Sequence, residues 1–65
     1  MNVRNTKAIA HKIGAETRFV TELARDLGIE MNYRADNRYW EIQDRKVAQQ
    51  FLAWLIEENT FGATA

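Results

Sequence analysis

Few side chains in this sequence are equipped for catalysis. The chain contains no serine and no cysteine, so the nucleophiles most often activated by a histidine base are missing. The single histidine, His11, has Lys7 and Lys12 as charged neighbours and falls on the outer side of a predicted helix, which is typical of a solvated histidine. Paired carboxylates for acid–base work would have to come from Glu30 and Glu41, but their positions fit an ordinary cross-strand polar set. We therefore predict that the protein is not an enzyme and has no catalytic residues.

The sequence likewise contains no motif typical of a metal site or a cofactor site. One histidine without cysteine cannot supply the ligands of the usual zinc patterns. The sequence has no glycine-rich phosphate loop, no EF-hand loop and no HExxH motif. We therefore expect neither a bound metal nor a cofactor.

Helical spacing of apolar residues extends over residues 6–27. At about 100° per residue, the large aliphatic side chains of this segment fall on one side of a helix. Asn5 or Thr6 can cap its start, and Gly28 stands where a left-handed C-cap residue belongs.

Two residues disturb this first helix. Gly14 lies inside it, and Glu16 projects onto the apolar side. We predict a kink or short break at residues 14–16, after which Glu16 opens a second helical piece. The alternative is a continuous helix with a partly buried carboxylate at Glu16.

The apolar period changes to two between residues 29 and 43, which predicts a β-hairpin. With Asp36 and Asn37 as turn residues that tolerate positive φ, Tyr33 pairs with Trp40. This register separates the side chains cleanly into two faces, as a half-buried hairpin requires. The apolar face collects Ile29, Met31, Tyr33, Trp40 and Ile42, and the polar face collects Glu30, Asn32, Arg34, Tyr39, Glu41 and Gln43.

Helical spacing returns after Asp44, a good N-cap residue, and predicts a helix over residues 45–58. Its apolar residues cover an arc of roughly 200°, about twice what a helix lying on one core needs.

The predicted fold is a single α+β domain over residues 1–65, with frayed ends at 1–5 and 60–65. Its order is α-β-β-α, and two helices pack on one face of a two-stranded antiparallel hairpin. The predicted core consists of Ile9, Ile13, Val20, Leu23, Leu27, Met31, Trp40, Ile42, Val47, Phe51 and Leu55.

Association with another protein chain is the function that the sequence favours. A chain of 65 residues without cysteine has a small core and no disulfides to support it. The surplus apolar width of the last helix predicts a protein-binding strip formed by Trp54, Leu52 and Ile56, with Phe61 as the anchor of the tail. The partner is either a second copy, giving a homodimer, or a different protein.

Nucleic-acid binding is the alternative. The segment TELARDLGI resembles the first helix and turn of a helix-turn-helix, but residues 30–43 alternate where the recognition helix should follow. The hairpin could still bind nucleic acid through Arg34, Arg38 and Tyr39. A formal net charge of zero argues against binding that depends mainly on phosphates.

The sequence also allows predictions about the cellular location and the origin of the protein. No apolar run approaches the roughly 18 residues of a membrane helix, and the first residues lack the apolar stretch of a signal peptide. We expect a cytoplasmic protein without membrane contact. Small chains without an active site are frequent among accessory and inhibitor proteins of phages and plasmids, and we expect this one to belong to that class.

Overall fold

Three helices and one hairpin make up the fold, in the order α, α, β, β, α. The computed structural model describes residues 3–58. Its elements are α1 (Thr6–Ile13), α2 (Thr17–Asp26), β1 (Met31–Arg34), β2 (Tyr39–Ile42) and α3 (Arg45–Glu58). The predicted α+β class, hairpin and last helix are confirmed, and the first predicted helix is divided into α1 and α2.

The break between α1 and α2 follows from Gly14. This glycine adopts a left-handed conformation (φ 73°), which terminates α1, and the NH groups of Gly14 and Ala15 donate to the last carbonyl groups of the helix. Glu16 is the N-cap residue of α2 and is exposed, although its side chain makes no capping bond. The predicted break is therefore confirmed, and a buried carboxylate at Glu16 is excluded.

The N-terminus of α1 is capped as the sequence predicts. The side-chain oxygen of Asn5 accepts hydrogen bonds from the NH groups of Lys7 (2.7 Å) and Ala8 (3.2 Å). Asp44 plays the same role for α3, where its carboxylate accepts from the NH groups of Lys46 and Val47. Each cap satisfies two donors that a helix start would otherwise leave unpaired.

The hairpin has the predicted register, with Met31 opposite Ile42 and Tyr33 opposite Trp40. Its turn differs from the prediction. Four residues, 35–38, connect the strands, and the NH of Asn37 donates to the carbonyl oxygen of Arg34 at 3.2 Å. Positive φ occurs at Arg38 (57°) and not at Asp36 or Asn37. In this four-residue loop the left-handed residue is the last one, whereas a two-residue turn would have it at residue 36 or 37.

The outer edge of β2 is covered by the chain just before α1. Residues 3–5 belong to the segment predicted to fray, and in it Asn5 forms a single antiparallel bridge with Glu41. The NH of Ile42 donates to the carbonyl oxygen of Arg4 at 2.7 Å, and the side chain of Arg4 donates back to the carbonyl of Ile42 at 2.9 Å. This pairing protects an edge that would otherwise be open to other strands.

The core lies where α1, α2 and α3 meet β2. Its buried members are Ile9, Ala10, Val20, Ala24, Ile42, Ala48, Phe51, Leu52 and Leu55. Five predicted core residues, Ile9, Val20, Ile42, Phe51 and Leu55, are among them, and Ile13, Leu23, Met31 and Val47 are partly buried against the core.

Two predicted core residues lie elsewhere. Trp40 is half-buried near the turn end of the hairpin, where the guanidinium of Arg25 covers its ring at 5.5 Å. Leu27 is exposed because α2 ends at Asp26 and the left-handed Gly28 turns the chain away. Helical spacing places Leu27 seven residues after the buried Val20 and on the same side, but Leu27 lies just past the end of α2, where that spacing no longer applies.

Candidate functional site

An apolar groove lies between the end of α2 and one side of α3. It has a volume of 350 Å³ and is lined by Leu27, Ile29, Val47, Gln50, Phe51 and Trp54. Leu27 reaches its rim because Gly28 terminates the preceding helix. Val47, Phe51 and Trp54 reach it because they repeat at intervals of four and three residues along α3. The groove therefore depends on two local sequence features, the glycine that follows α2 and the spacing of apolar residues along α3.

Trp54 lines this groove and stacks on Phe51. The two rings stack nearly parallel, with their centroids 6.4 Å apart and an angle of 16° between planes. Phe51 is buried in the core, whereas Trp54 remains 39% exposed. An aromatic ring fixed on a buried neighbour loses little conformational freedom when a partner covers it, which favours binding.

Leu27 lines the same groove and is 52% exposed. Leu27 and Trp54 are the exposed large apolar side chains of the groove, while Phe51 is buried beneath its surface. Neither Leu27 nor Ile29 was predicted as a site residue, because Leu27 was assigned to the core and Ile29 to the apolar face of the hairpin. The signal that could have found Leu27 is its position just before a left-handed glycine, where the chain leaves the helix.

The predicted strip of Trp54, Leu52 and Ile56 is not one surface. Leu52 is 8% exposed and belongs to the core, so it is not available to a partner. Ile56 is 54% exposed, but it lies two positions after Trp54 in the helix, so the two side chains point about 160° apart. The large apolar arc of α3 is explained by burial at its centre, with Trp54 on one flank and Ile56 on the other. Phe61 lies outside the described residues.

A second, more polar depression adjoins the groove at the start of α3. It has a volume of 460 Å³ and shares Ile29 and Val47 with the groove, while Glu30, Gln43 and Asp44 contribute polar groups. Asp44 is already engaged in capping α3. This depression therefore extends the groove without offering a convergent set of free polar atoms.

The arginines of the hairpin differ in how far they are engaged. Arg34 donates to the carboxylate of Glu41 at 3.2 Å and lies 3.8 Å from Asp36. The hydrogen bond to Glu41, with the charge of Asp36, raises the pKa of Arg34. Arg38 is exposed within the turn, and Tyr39 is half-buried. Both arginines are exposed, but Arg34 is paired with acidic side chains, so the hairpin is a weak phosphate-binding surface.

Glu41 is the centre of an ion-pair cluster. Its side chain is 9% exposed and lies 3.3 Å from Arg4 and 3.2 Å from Arg34. Glu30 is exposed and lies immediately before β1. The carboxylate of Glu41 therefore ties the N-terminal segment to the hairpin, a structural role that leaves it badly placed for acid–base chemistry.

The remaining chemical groups do not assemble into a site. His11 is exposed in the last turn of α1, as predicted. Within residues 3–58 no three His, Asp or Glu side chains come close enough to hold a metal ion. Over the same residues no helix has the length and apolar character needed to cross a membrane.

Comparisons with known proteins add no assignment. The chain matches no protein-family model, no curated protein sequence and no solved structure.

Proposed function

We propose that this protein is a non-catalytic binding module that contacts another protein chain through the groove between Leu27 and Trp54. The observation that carries the proposal is that two large exposed apolar side chains, Leu27 and Trp54, line the same apolar groove. Tryptophan is among the residues that most often dominate the binding energy of protein interfaces, and a concave apolar site suits an aliphatic or aromatic anchor.

The groove also combines an apolar centre with polar and charged residues at its edge. Gln50 is its polar lining residue, and charged residues flank it on α3. Interfaces of this kind combine an apolar centre with a polar rim that sets orientation. The wider predictions, of a cytoplasmic accessory or inhibitor protein of a phage or plasmid, are proposals that rest on the size of the chain and its lack of catalytic groups.

Site-specific photocrosslinking in the native host tests this function. A benzophenone amino acid at Gln50, inside the groove, is expected to trap a protein partner, and Trp54→Ala in the same chain is expected to remove that product. The matched control carries the same group at Lys12, which is exposed in α1 and does not line the groove. Absence of any product from position 50, or an equal product from position 12, would overturn the proposal.

Nucleic-acid binding by the hairpin makes a different prediction. If it occurs, binding should weaken steeply with salt, and Arg38→Ala should reduce the salt slope by about one. Arg34→Ala should matter less than Arg38→Ala, because Arg34 is already paired with Glu41. Fluorescence anisotropy with duplex and single-stranded oligonucleotides at about 50 mM salt measures this, since electrostatic binding is strongest at low salt. No binding at tens of micromolar protein would remove the alternative.

A further inference from the structure

The exposed side of α3 next to the groove carries a regularly spaced set of residues. Lys46, Gln50, Ala53 and Glu57 are all exposed and are spaced by four, three and four residues. This spacing places them on one face of the helix, as in the contact positions of paired helices. Trp54 lies on the flank of the same face, so the face and the groove form one continuous surface.

Lys46 and Glu57 carry opposite charges at the two ends of this face. They are eleven residues apart, which is about 16 Å along a helix axis, too far for the two side chains to meet within one chain. The ion pairs among residues 3–58 involve Arg4, Arg34, Asp36 and Glu41, and neither Lys46 nor Glu57 takes part. Both charges are thus available to a partner.

We propose that the partner seated on this surface is a second copy of this chain, with the two α3 helices packed antiparallel around a two-fold axis. The inference rests on the proposed function and specifies its partner. The midpoint between residues 46 and 57 is also the midpoint between Gln50 and Ala53. A two-fold axis at that point sets Lys46 level with Glu57 of the second copy, and the same contact is repeated by symmetry.

Other arrangements of two copies lack this complementarity. A parallel pair would set Lys46 against Lys46 and Glu57 against Glu57, which is repulsive. In the antiparallel pair, Gln50 meets Ala53 of the second copy, and the small side chain of Ala53 allows the helices to approach. The surface is therefore complementary in charge to itself in one orientation.

The same axis brings the two Trp54 rings close together. A two-fold rotation that reverses α3 keeps Trp54 of each copy on the same side of the helix pair. Because Trp54 lies two and a half residues from the midpoint, the two rings come about 7 Å apart along the axis. Both rings then lie beside the seam between the two helices, where each can shield part of the other from water.

Charge exchange tests this arrangement. Sedimentation of the full chain at about 50 mM salt, where surface charges are weakly screened, is expected to show a dimer in the wild type. Lys46→Glu and Glu57→Lys are each expected to weaken association about tenfold or more, because each replaces two attractive contacts by two repulsive ones. An equimolar mixture of the two variants should recover association, as should the double variant, because every contact again joins opposite charges.

The substitutions are chosen so that unfolding cannot imitate this result. An acidic residue near the start of α3 and a basic residue near its end both interact favourably with the helix dipole, so the variants should melt no lower than the wild type. A wild type that is monomeric at about 1 mM, the scale of very weak association, would overturn the inference. Equal dimerisation by all variants, or no recovery in the mixture, would also overturn it.

The two proposals fail in different ways. A crosslink from position 50 to a different protein, combined with a monomeric wild type, keeps the binding function and overturns the second copy as partner. A crosslinked product of twice the 7.6 kDa chain, lost with Trp54→Ala, supports both. A salt-sensitive dimer that gives no crosslink from position 50 overturns the groove as the site.

Discussion

Replacing Phe51 by alanine is expected to lower the free energy of unfolding by about 3–5 kcal/mol, the usual cost of deleting a buried phenylalanine. Phe51 is 4% exposed, and its ring forms the floor of the groove and supports Trp54. At about 0.05–0.15 kcal/mol per residue, a domain of 65 residues has roughly 3–10 kcal/mol in total. The loss is a large part of that total, so the variant should have a much lower urea midpoint and melting temperature than the wild type, both followed by circular dichroism.

Ile56→Ala is the matched control for Phe51→Ala. Ile56 is in the same helix and is also a large apolar residue, but it is exposed, so its removal should change the stability by no more than about 0.5 kcal/mol. Alanine also has a higher helix propensity than isoleucine, which offsets part of any lost contact. If Ile56→Ala destabilised the protein as much as Phe51→Ala, the assignment of the two flanks of α3 would be wrong.

The contrast between these two residues shows why the sequence predicted the site only in part. Helical periodicity places Phe51, Trp54 and Ile56 within one broad apolar arc, but it does not say how much of that arc the rest of the chain covers. The coverage depends on α1, α2 and β2, whose positions relative to α3 are set by long-range packing. The width of the arc was visible in the sequence, while its division into a buried centre and two separated flanks was not.

Local chemistry explains what the sequence could predict. Gly14 within an amphipathic segment predicts a helix end, because glycine adopts positive φ without steric cost, and the structure confirms it. The alternation of residues 29–43 predicts the hairpin register, because a shift by one residue would exchange its two faces. Both features depend on residues that are close together in the sequence, so they could be predicted without knowledge of the fold.

The pairing of residues 3–5 with β2 could not be derived in the same way. Three residues are too few to show a period, and their partners lie nearly forty positions away in the chain. The pairing explains three observations that no local pattern contains. It buries Glu41 between two arginines, it covers the edge of β2, and it brings the first residue of α1 against the hairpin.

That first residue, Thr6, connects three elements through its hydroxyl group. Its side chain donates a hydrogen bond to the carbonyl oxygen of Trp40 at 3.0 Å and accepts one from the hydroxyl of Thr21 at 3.2 Å. Thr6 is fully buried, and Thr21 is nearly so. A buried polar group is costly when its partner is removed, because water cannot replace the lost bond.

Thr6→Val is therefore expected to lower the free energy of unfolding by about 1–3 kcal/mol, although valine has almost the same shape and volume as threonine. The substitution leaves two groups without their partner, the carbonyl of Trp40 and the hydroxyl of Thr21. Thr21→Val should cost less, about 1 kcal/mol, because the bond from Thr6 to Trp40 survives it. Chemical denaturation of each variant measures these differences.

The double variant distinguishes the contribution of these hydrogen bonds to stability from the contribution of packing. In Thr6→Val combined with Thr21→Val, the carbonyl of Trp40 is the one group left without its partner, so the loss should be smaller than the sum of the two single losses. Thr6→Ser keeps the hydroxyl and removes a buried methyl group, which costs about 0.8 kcal/mol by transfer. If Thr6→Ser were less stable than Thr6→Val, the methyl group of Thr6 would matter more than its hydrogen bonds. Strictly additive losses in the double variant would show that Thr6 and Thr21 act independently, and the junction of α1, α2 and β2 would then depend on packing alone.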